Sequence, residues 1–358
     1  MAGFFAHLLL QKRGPRRYLG NRTKRILLPF VLFWPILYVI ISTLWFWGGK
    51  TAGRLPAVGY AESDAAYTPL EIGAYLATQP RLWFEHFSLL HLWFLYYLVL
   101  FYAATGLLLS GARLLPTASE RVMGCLDRLF RNAVQSRWRV LFLSLLLLPG
   151  MLLMRIWSVD TPNDSAVPEL GSTVYYGTLF SLGWMLHRAP ELLQSLTRHW
   201  PQHLLGATVI LVLSFFPVEI AEAFGGQRAW FGRPGVHSFY QAIYGVGTAL
   251  YIMGFMGMFQ KLANRPTPFW RYVADSSYWI YLVHLPLIVA WQIAVYPLAW
   301  PSALKYLGGC LVVVPILFLS YRICVRSTWL GRLLNGRRYP FQWAWIPSPE
   351  PVTRKAMP

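Results

Sequence analysis

Apolar runs of 18 to 22 residues, almost free of charge, alternate with short polar stretches along most of the chain. A helix of about 20 residues spans the roughly 30 Å hydrocarbon core of a bilayer. The pattern therefore predicts eight membrane-crossing helices, at 26–47, 91–112, 138–156, 167–186, 204–221, 238–259, 276–297 and 306–324. Prolines 29, 35, 149, 286 and 315 fall inside them, as packed membrane helices tolerate. The fold class expected is all-α: a polytopic transmembrane bundle forming one membrane-embedded domain over 1–346, with a disordered cytoplasmic tail at 347–358. The long loop 48–90 is expected to carry short interfacial helices within PLEIGAYLATQPRLWFEHF. The start, MAGFFAHLLL, is different. Ten helical residues cover about 15 Å, half a span, before Lys12, Arg13, Arg16 and Arg17.

Composition agrees with a membrane location. Mean hydropathy is +0.42 and 56% of residues are hydrophobic, whereas the 13% that are charged are about half the share in soluble domains. A net charge of +18 raises nucleic-acid binding, but the placement of the charges removes it. Alternate segments, beginning with 11–25 and ending with the tail from Arg322, hold 25 of the 32 Lys and Arg. The positive-inside rule makes these cytoplasmic and puts loop 48–90 outside. Basic residues follow the first apolar stretch rather than precede it, unlike a cleavable signal peptide. Cys125, Cys310 and Cys324 form no metal or disulfide pattern, and Cys310 and Cys324 read as small buried hydrophobes.

Three constellations could carry chemistry. In NRTKRILLPF, Arg22 and Arg25 stand three apart, which on an α-helix puts two guanidinium forks on one face, suited to a phosphate. Plain anchoring against anionic headgroups is the other reading. In FSLLHLWFLYYLVL, His91 sits where the outer loop enters a span, with His86 nearby and Glu85 able to pair with either. A structural interfacial histidine is the alternative. In SSYWIYLVHLPLIVAW, His284 lies mid-span with Tyr281 one turn earlier, able to bond its ring or line the same cavity. An ionisable group at that depth marks a functional site by default, the alternative being a ring bonded to a backbone carbonyl. Glu219 with Arg228 or Arg233 is a weaker candidate pair, and Trp83, Trp157 and Trp230 are candidate sugar-stacking rings. No metal site and no GxSxG, HExxH, Walker or paired-carboxylate motif is read.

Four stretches, NRTKRILLPF, SLLHLWFLYYLVL, YYGTLFSLGWMLHR and SSYWIYLVHLPLIV, together with the tail RSTWLGRLLNGRR, resemble the integral-membrane acyltransferase 3 family. The likeness is strongest to its branch that succinylates periplasmic glucans. It implies ten helices, an acyl-CoA donor reached from the cytoplasm, no permanently bound cofactor, and a glycan acceptor across the inner membrane. Arg22 and Arg25 would be the family's Arg-x-x-Arg pair, holding the CoA phosphates. The family's first helix, with the histidine thought to act as base, has no counterpart here. MAGFFAHLLL matches the inner half of the second, and His7 lies too near the cytoplasmic end to replace that histidine. The chain is thus expected to begin late, with a longer native product. His284, His91 and Tyr281 remain the catalytic candidates. A transporter or flippase of a sugar conjugate, or a catalytically silent homologue, are the rival expectations.

Overall fold

A computed structural model of the chain describes residues 1–154, 158–223, 233–265 and 267–340. The chain runs through α1 (Ala2–Arg22), α2 (Leu28–Ala52), α3 (Pro69–Thr78), α4 (Pro80–Glu85), α5 (Trp93–Ala112), α6 (Pro116–Gln135) and α7 (Arg139–Leu152). It continues through α8 (Leu170–Arg188), α9 (Leu192–Leu196), α10 (Trp200–Ala223), α11 (Pro234–Leu262), α12 (Pro268–Val295), α13 (Ser302–Ser320) and α14 (Trp329–Asn335). Among the described residues there is no strand, so the all-α class holds. Tail 347–358, Trp157, Trp230, Arg228 and the Glu219 side chain lie outside the described residues.

Each of the eight predicted spans falls on one helix. Five helical stretches are long and apolar enough to cross a bilayer: Arg17–Ala52, Leu90–Ala112, Gly235–Leu262, Pro268–Val295 and Ser302–Arg326. They mark a multi-pass membrane protein. The 14 residues of α7 reach only about 21 Å, and the apolar part of α10 stops at Phe216. Large apolar side chains point outward along these helices, among them Val31, Leu107 and Leu311. Lipid is as good a solvent for them as a core. The same reason corrects the expectation for Cys310 and Cys324, which are exposed on their helix surfaces rather than buried.

The chain divides into two compact units. The first comprises Met1–Arg22, Tyr97–Pro162 and Val167–Arg265. In it α1 and α7 pack on α8, and α7 and α10 pack on α11. Leu147, Met151, Tyr175, Leu196, Ala249 and Met253 form its core. Small residues set the helix spacing: a Cβ on Gly150 would lie 2.6 Å from the backbone nitrogen of Tyr175, and one on Gly3 would overlap the carbonyl of Phe180. Beyond the membrane helices Arg188 grips Asp127 through Nε–Oδ1 (2.8 Å) and Nη2–Oδ2 (2.5 Å), and this fork holds the carboxyl below its ordinary pKa. Helix α1 is two helical stretches that meet at a kink: Gly14 has a non-helical backbone (φ 72°, ψ 169°) just before Pro15, so the apolar first stretch ends within the basic run.

The second unit comprises Thr23–Tyr96, Asn163–Ala166 and the stretch from 266 onward. There α2 packs on α12 and α3, and α12 packs on α13. The loop 48–90 folds into two 3₁₀ turns (Leu55–Val58 and Glu62–Ala66) and the expected short helices, α3 and α4. Helix α3 starts with a reciprocal cap. Thr68 Oγ1 accepts from the Glu71 N–H (3.3 Å), and Glu71 Oε2 accepts from the Thr68 N–H (2.7 Å). Phe46, Leu55, Ile72 and Leu76 then bury the loop's apolar side against α2.

The crossings make a stability prediction. Gly150→Leu should cost about 1–3 kcal/mol or more by forcing α7 off α8. Gly124→Ala, on an open face of α6 with nothing near the added carbon, should gain about 0.5–1 kcal/mol. Thermal unfolding of the two purified variants in one detergent checks both signs.

Candidate functional site

Pro286 sits inside α12 and has no N–H to give the carbonyl four residues back, that of Leu282. A carbonyl freed at this depth needs another donor. His91 supplies it: its Nε2 lies 3.0 Å from the Leu282 oxygen. The contact is returned, since the Tyr281 hydroxyl donates to the backbone oxygen of His91 at 2.5 Å. One turn on, His284 Nδ1 lies 2.7 Å from the Tyr281 carbonyl and 3.2 Å from that of Ile280. The His91 and His284 rings meet edge to face with centroids 5.2 Å apart.

These bonds fix both tautomers. A carbonyl only accepts, so His91 carries its proton on Nε2 and His284 on Nδ1. Each ring is left with one nitrogen whose lone pair is free. That atom in His91, Nδ1, is buried with no partner among the described residues. A held ring with a bare nitrogen is what proton abstraction requires.

His91 is placed from the other side as well. The segment 86–90 is tied to α2, whose Trp34 Nε1 donates to the Ser88 carbonyl and whose Tyr38 hydroxyl donates to that of His86, each at 2.9 Å. Ser88 Oγ and the Leu89 N–H both donate to the carbonyl of Asn163. Leu90, just before the histidine, is held at φ 54°, a left-handed conformation unusual for a branched residue.

Two expected pairings are corrected. Glu85 bonds neither histidine; it pairs with Arg81 one turn back on α4, where the i,i+4 spacing favours it. Tyr281 does not bond the His284 ring through its hydroxyl, which reaches the His91 backbone instead. Trp83 is not an outward stacking ring either. Its Nε1 donates to the Leu76 carbonyl and its ring packs near Trp34 and Tyr38.

The arginines fall in different units, between which the chain passes after Arg22. Arg22 ends α1, donates to the Phe5 carbonyl (2.9 Å) and lies over the Tyr102 ring (4.8 Å). Arg25 lies in a π-helical turn, Thr23–Leu27, so α-helical spacing no longer sets the pair on one face. Its guanidinium sits against Gly336, just past the C-terminal end of α14, where the helix dipole favours a cation. The Tyr278 hydroxyl donates to the Arg25 carbonyl at 2.9 Å.

A basic cluster around this point escaped the sequence reading. Asp275 accepts from Arg337 and, at 3.1 Å, from the Tyr339 hydroxyl. Arg326 lies over the rings of Tyr272 (5.3 Å) and Tyr339 (4.7 Å). In the first unit His7 Nδ1 is 2.7 Å from His187 Nδ1, a contact no motif announced. Among the described residues no three His, Cys, Asp or Glu converge as metal ligands.

A family model described as an acyltransferase domain matches residues 1–322. The chain belongs to the acyltransferase 3 family. No curated protein and no solved structure matches it. Membership indicates acyltransferase activity, and in the second unit this chain has two imidazole nitrogens without a hydrogen-bond partner among the described residues.

The proline's carbonyl gives a test of this geometry. His91→Ala should cost about 1–3 kcal/mol, the penalty of a buried acceptor left unmet. In a Pro286→Ala background the new N–H can serve Leu282, and the cost of losing His91 should shrink by at least about 1 kcal/mol. A double-mutant cycle of unfolding free energies in detergent checks this; strict additivity would contradict the geometry.

Proposed function

We propose that the protein is an integral-membrane O-acyltransferase of the inner membrane. It moves an acyl group, succinyl or acetyl, from cytoplasmic acyl-CoA to a hydroxyl of an extracytoplasmic glycan, in the manner of the glucan-modifying branch of the family. The observation that carries the reading is the family match over 1–322. The paired histidines give it a chemistry and the charge distribution gives it an orientation, with the C-terminus in the cytoplasm. In this reading α7, α8 and α10 complete a set of eight spans.

His284, through its bare Nε2, takes the proton of the acceptor hydroxyl as that oxygen attacks the thioester carbonyl. The C–S bond breaks, an ester forms, and the CoA thiolate recovers the proton from the imidazolium. His91 and Tyr281 hold the ring's helix in register, and the Nδ1 of His91 faces the same chemistry. Arg25, backed by Arg326 and Arg337, binds the CoA phosphates, with Arg22 as the other member of the Arg-x-x-Arg pair. No metal and no resident cofactor enter this scheme.

Transfer of label from radiolabelled succinyl-CoA or acetyl-CoA to glycan by the purified protein in nanodiscs tests this. His284→Ala should lower kcat by about 100-fold or more. Arg25→Ala should raise the KM for acyl-CoA about tenfold with kcat little changed. Acyl transfer indifferent to both variants would refute the assignments. A protein that neither transfers label nor binds CoA would return the weight to a transporter or a silent homologue.

A further inference from the structure

The second unit holds a cavity of about 830 Å³ between α2 and the folded loop, within the range of small-molecule sites. Its wall includes Trp45, Tyr67 and Tyr75, residues that are 37%, 52% and 56% exposed. Asp64 and Glu71 also line it, and no Lys or Arg does. Ser88 and Leu90 belong to the same wall, and Leu90 adjoins His91.

We propose that this cavity binds an uncharged oligosaccharide, a chain of neutral hexoses, through ring stacking on Trp45 and Tyr75 and hydroxyl donation to Asp64 and Glu71. Three features select that class. Exposed aromatic faces suit the C–H faces of sugar rings, which are flat and weakly polar. Two carboxylates without a lining cation repel phosphates and acidic sugars. An acyl chain is disfavoured too, because filling the cavity with it would strip water from both carboxylates.

Both carboxylates are also held in place by backbone donors. Asp64 Oδ2 already accepts from the Ala61 N–H at 2.9 Å. Glu71 Oε2 accepts from the Thr68 N–H and its hydroxyl. Lys50, whose ammonium donates to the Tyr67 carbonyl at 2.7 Å, lies near enough to lower the Glu71 pKa further. What remains is acceptor capacity on oxygens already held in place, which fits hydroxyl groups. That the guest is the acyl acceptor, delivered toward His91 along Ser88 and Leu90, rests on the acyl-transfer reading; sugar binding itself does not.

Titration calorimetry of the purified protein in nanodiscs, without acyl-CoA, tests the site. The probes are cellotetraose and maltotetraose, with tetragalacturonate as the anionic and choline as the cationic comparison. At least one neutral tetramer should bind saturably at millimolar concentration, and more tightly than either charged probe. Trp45→Ala and Tyr75→Ala should each weaken it about tenfold or more, while Trp47→Ala, outside the cavity wall, should not. Glu71→Gln, which keeps an acceptor oxygen, should weaken it less than Trp45→Ala. Thermal unfolding identifies any variant that fails to fold; if one does, the probe preference of the wild type decides. No binding of either neutral tetramer, tighter binding of tetragalacturonate or choline, or wild-type affinity in both ring variants would overturn the proposal. Acyl transfer persisting without sugar binding here would remove the cavity alone. Sugar binding without acyl transfer would remove the reaction and leave the cavity.

Discussion

The carbonyl of Leu282 has no donor within its own helix, and the arrangement around the histidines depends on how that debt is met. Pro286 creates the need by lacking an N–H, and within a bilayer no water is at hand to meet it. His91 meets it at 3.0 Å, so the start of α5 is fixed to the middle of α12. Tyr281 closes the exchange by donating to the His91 backbone. Breaking it leaves a buried acceptor unmet, at a cost of about 1–3 kcal/mol. Trp34, Tyr38 and Asn163 hold the preceding loop, so the ring is positioned from both of its sides.

The same bonds decide what the imidazoles can do. Each donates to a helix carbonyl through one nitrogen and keeps the other as a lone pair, and the two rings use opposite nitrogens. Structural anchoring and proton abstraction are therefore not rival roles for these residues. The bond to a carbonyl that would make a histidine merely structural is also what fixes the ring and leaves its far nitrogen a lone pair. In the same unit, Arg25, Arg326 and Arg337 gather at the turn before α2 and the start of α12, and the aromatic cavity adjoins the loop leading to His91. In the proposed reaction these would serve as donor site, base and acceptor site, the three parts an acyl transfer needs.

Much of the helix pattern was legible because bilayer thickness sets a length that sequence must match. All eight apolar runs lie on helices, and PLEIGAYLATQPRLWFEHF gives α3 and α4, with Thr68 and Glu71 forming a cap visible at their i,i+3 spacing. His284 is legible as an ionisable residue at membrane depth, His91 as a histidine where the outer loop enters a span, and Tyr281 by its one-turn spacing from His284. Their partners are not, because Glu85 is an attractive guess by proximity in sequence, while the true acceptor lies 191 residues away. One signal could have found it: a proline at 286 implies a free carbonyl at 282. The Asp275 cluster has no such signal, since positive charge in a C-terminal tail reads as topology whether or not it folds back. The π-turn at Thr23–Leu27 likewise alters the Arg-x-x-Arg geometry in a way that spacing on an ideal helix cannot show.

The central claim is that His91 and His284 are held through opposite nitrogens with their other nitrogens bare. Nitrogen-15 NMR of histidine-labelled protein in micelles, assigned by single His→Gln substitutions, measures it directly at a pH where both rings are neutral. The expected result is the Nε2–H tautomer for His91 and the Nδ1–H tautomer for His284. The reverse pattern at His91, or rapid exchange between its two tautomers, would contradict it, because a ring so disposed could not be bonded to the carbonyl that Pro286 leaves free.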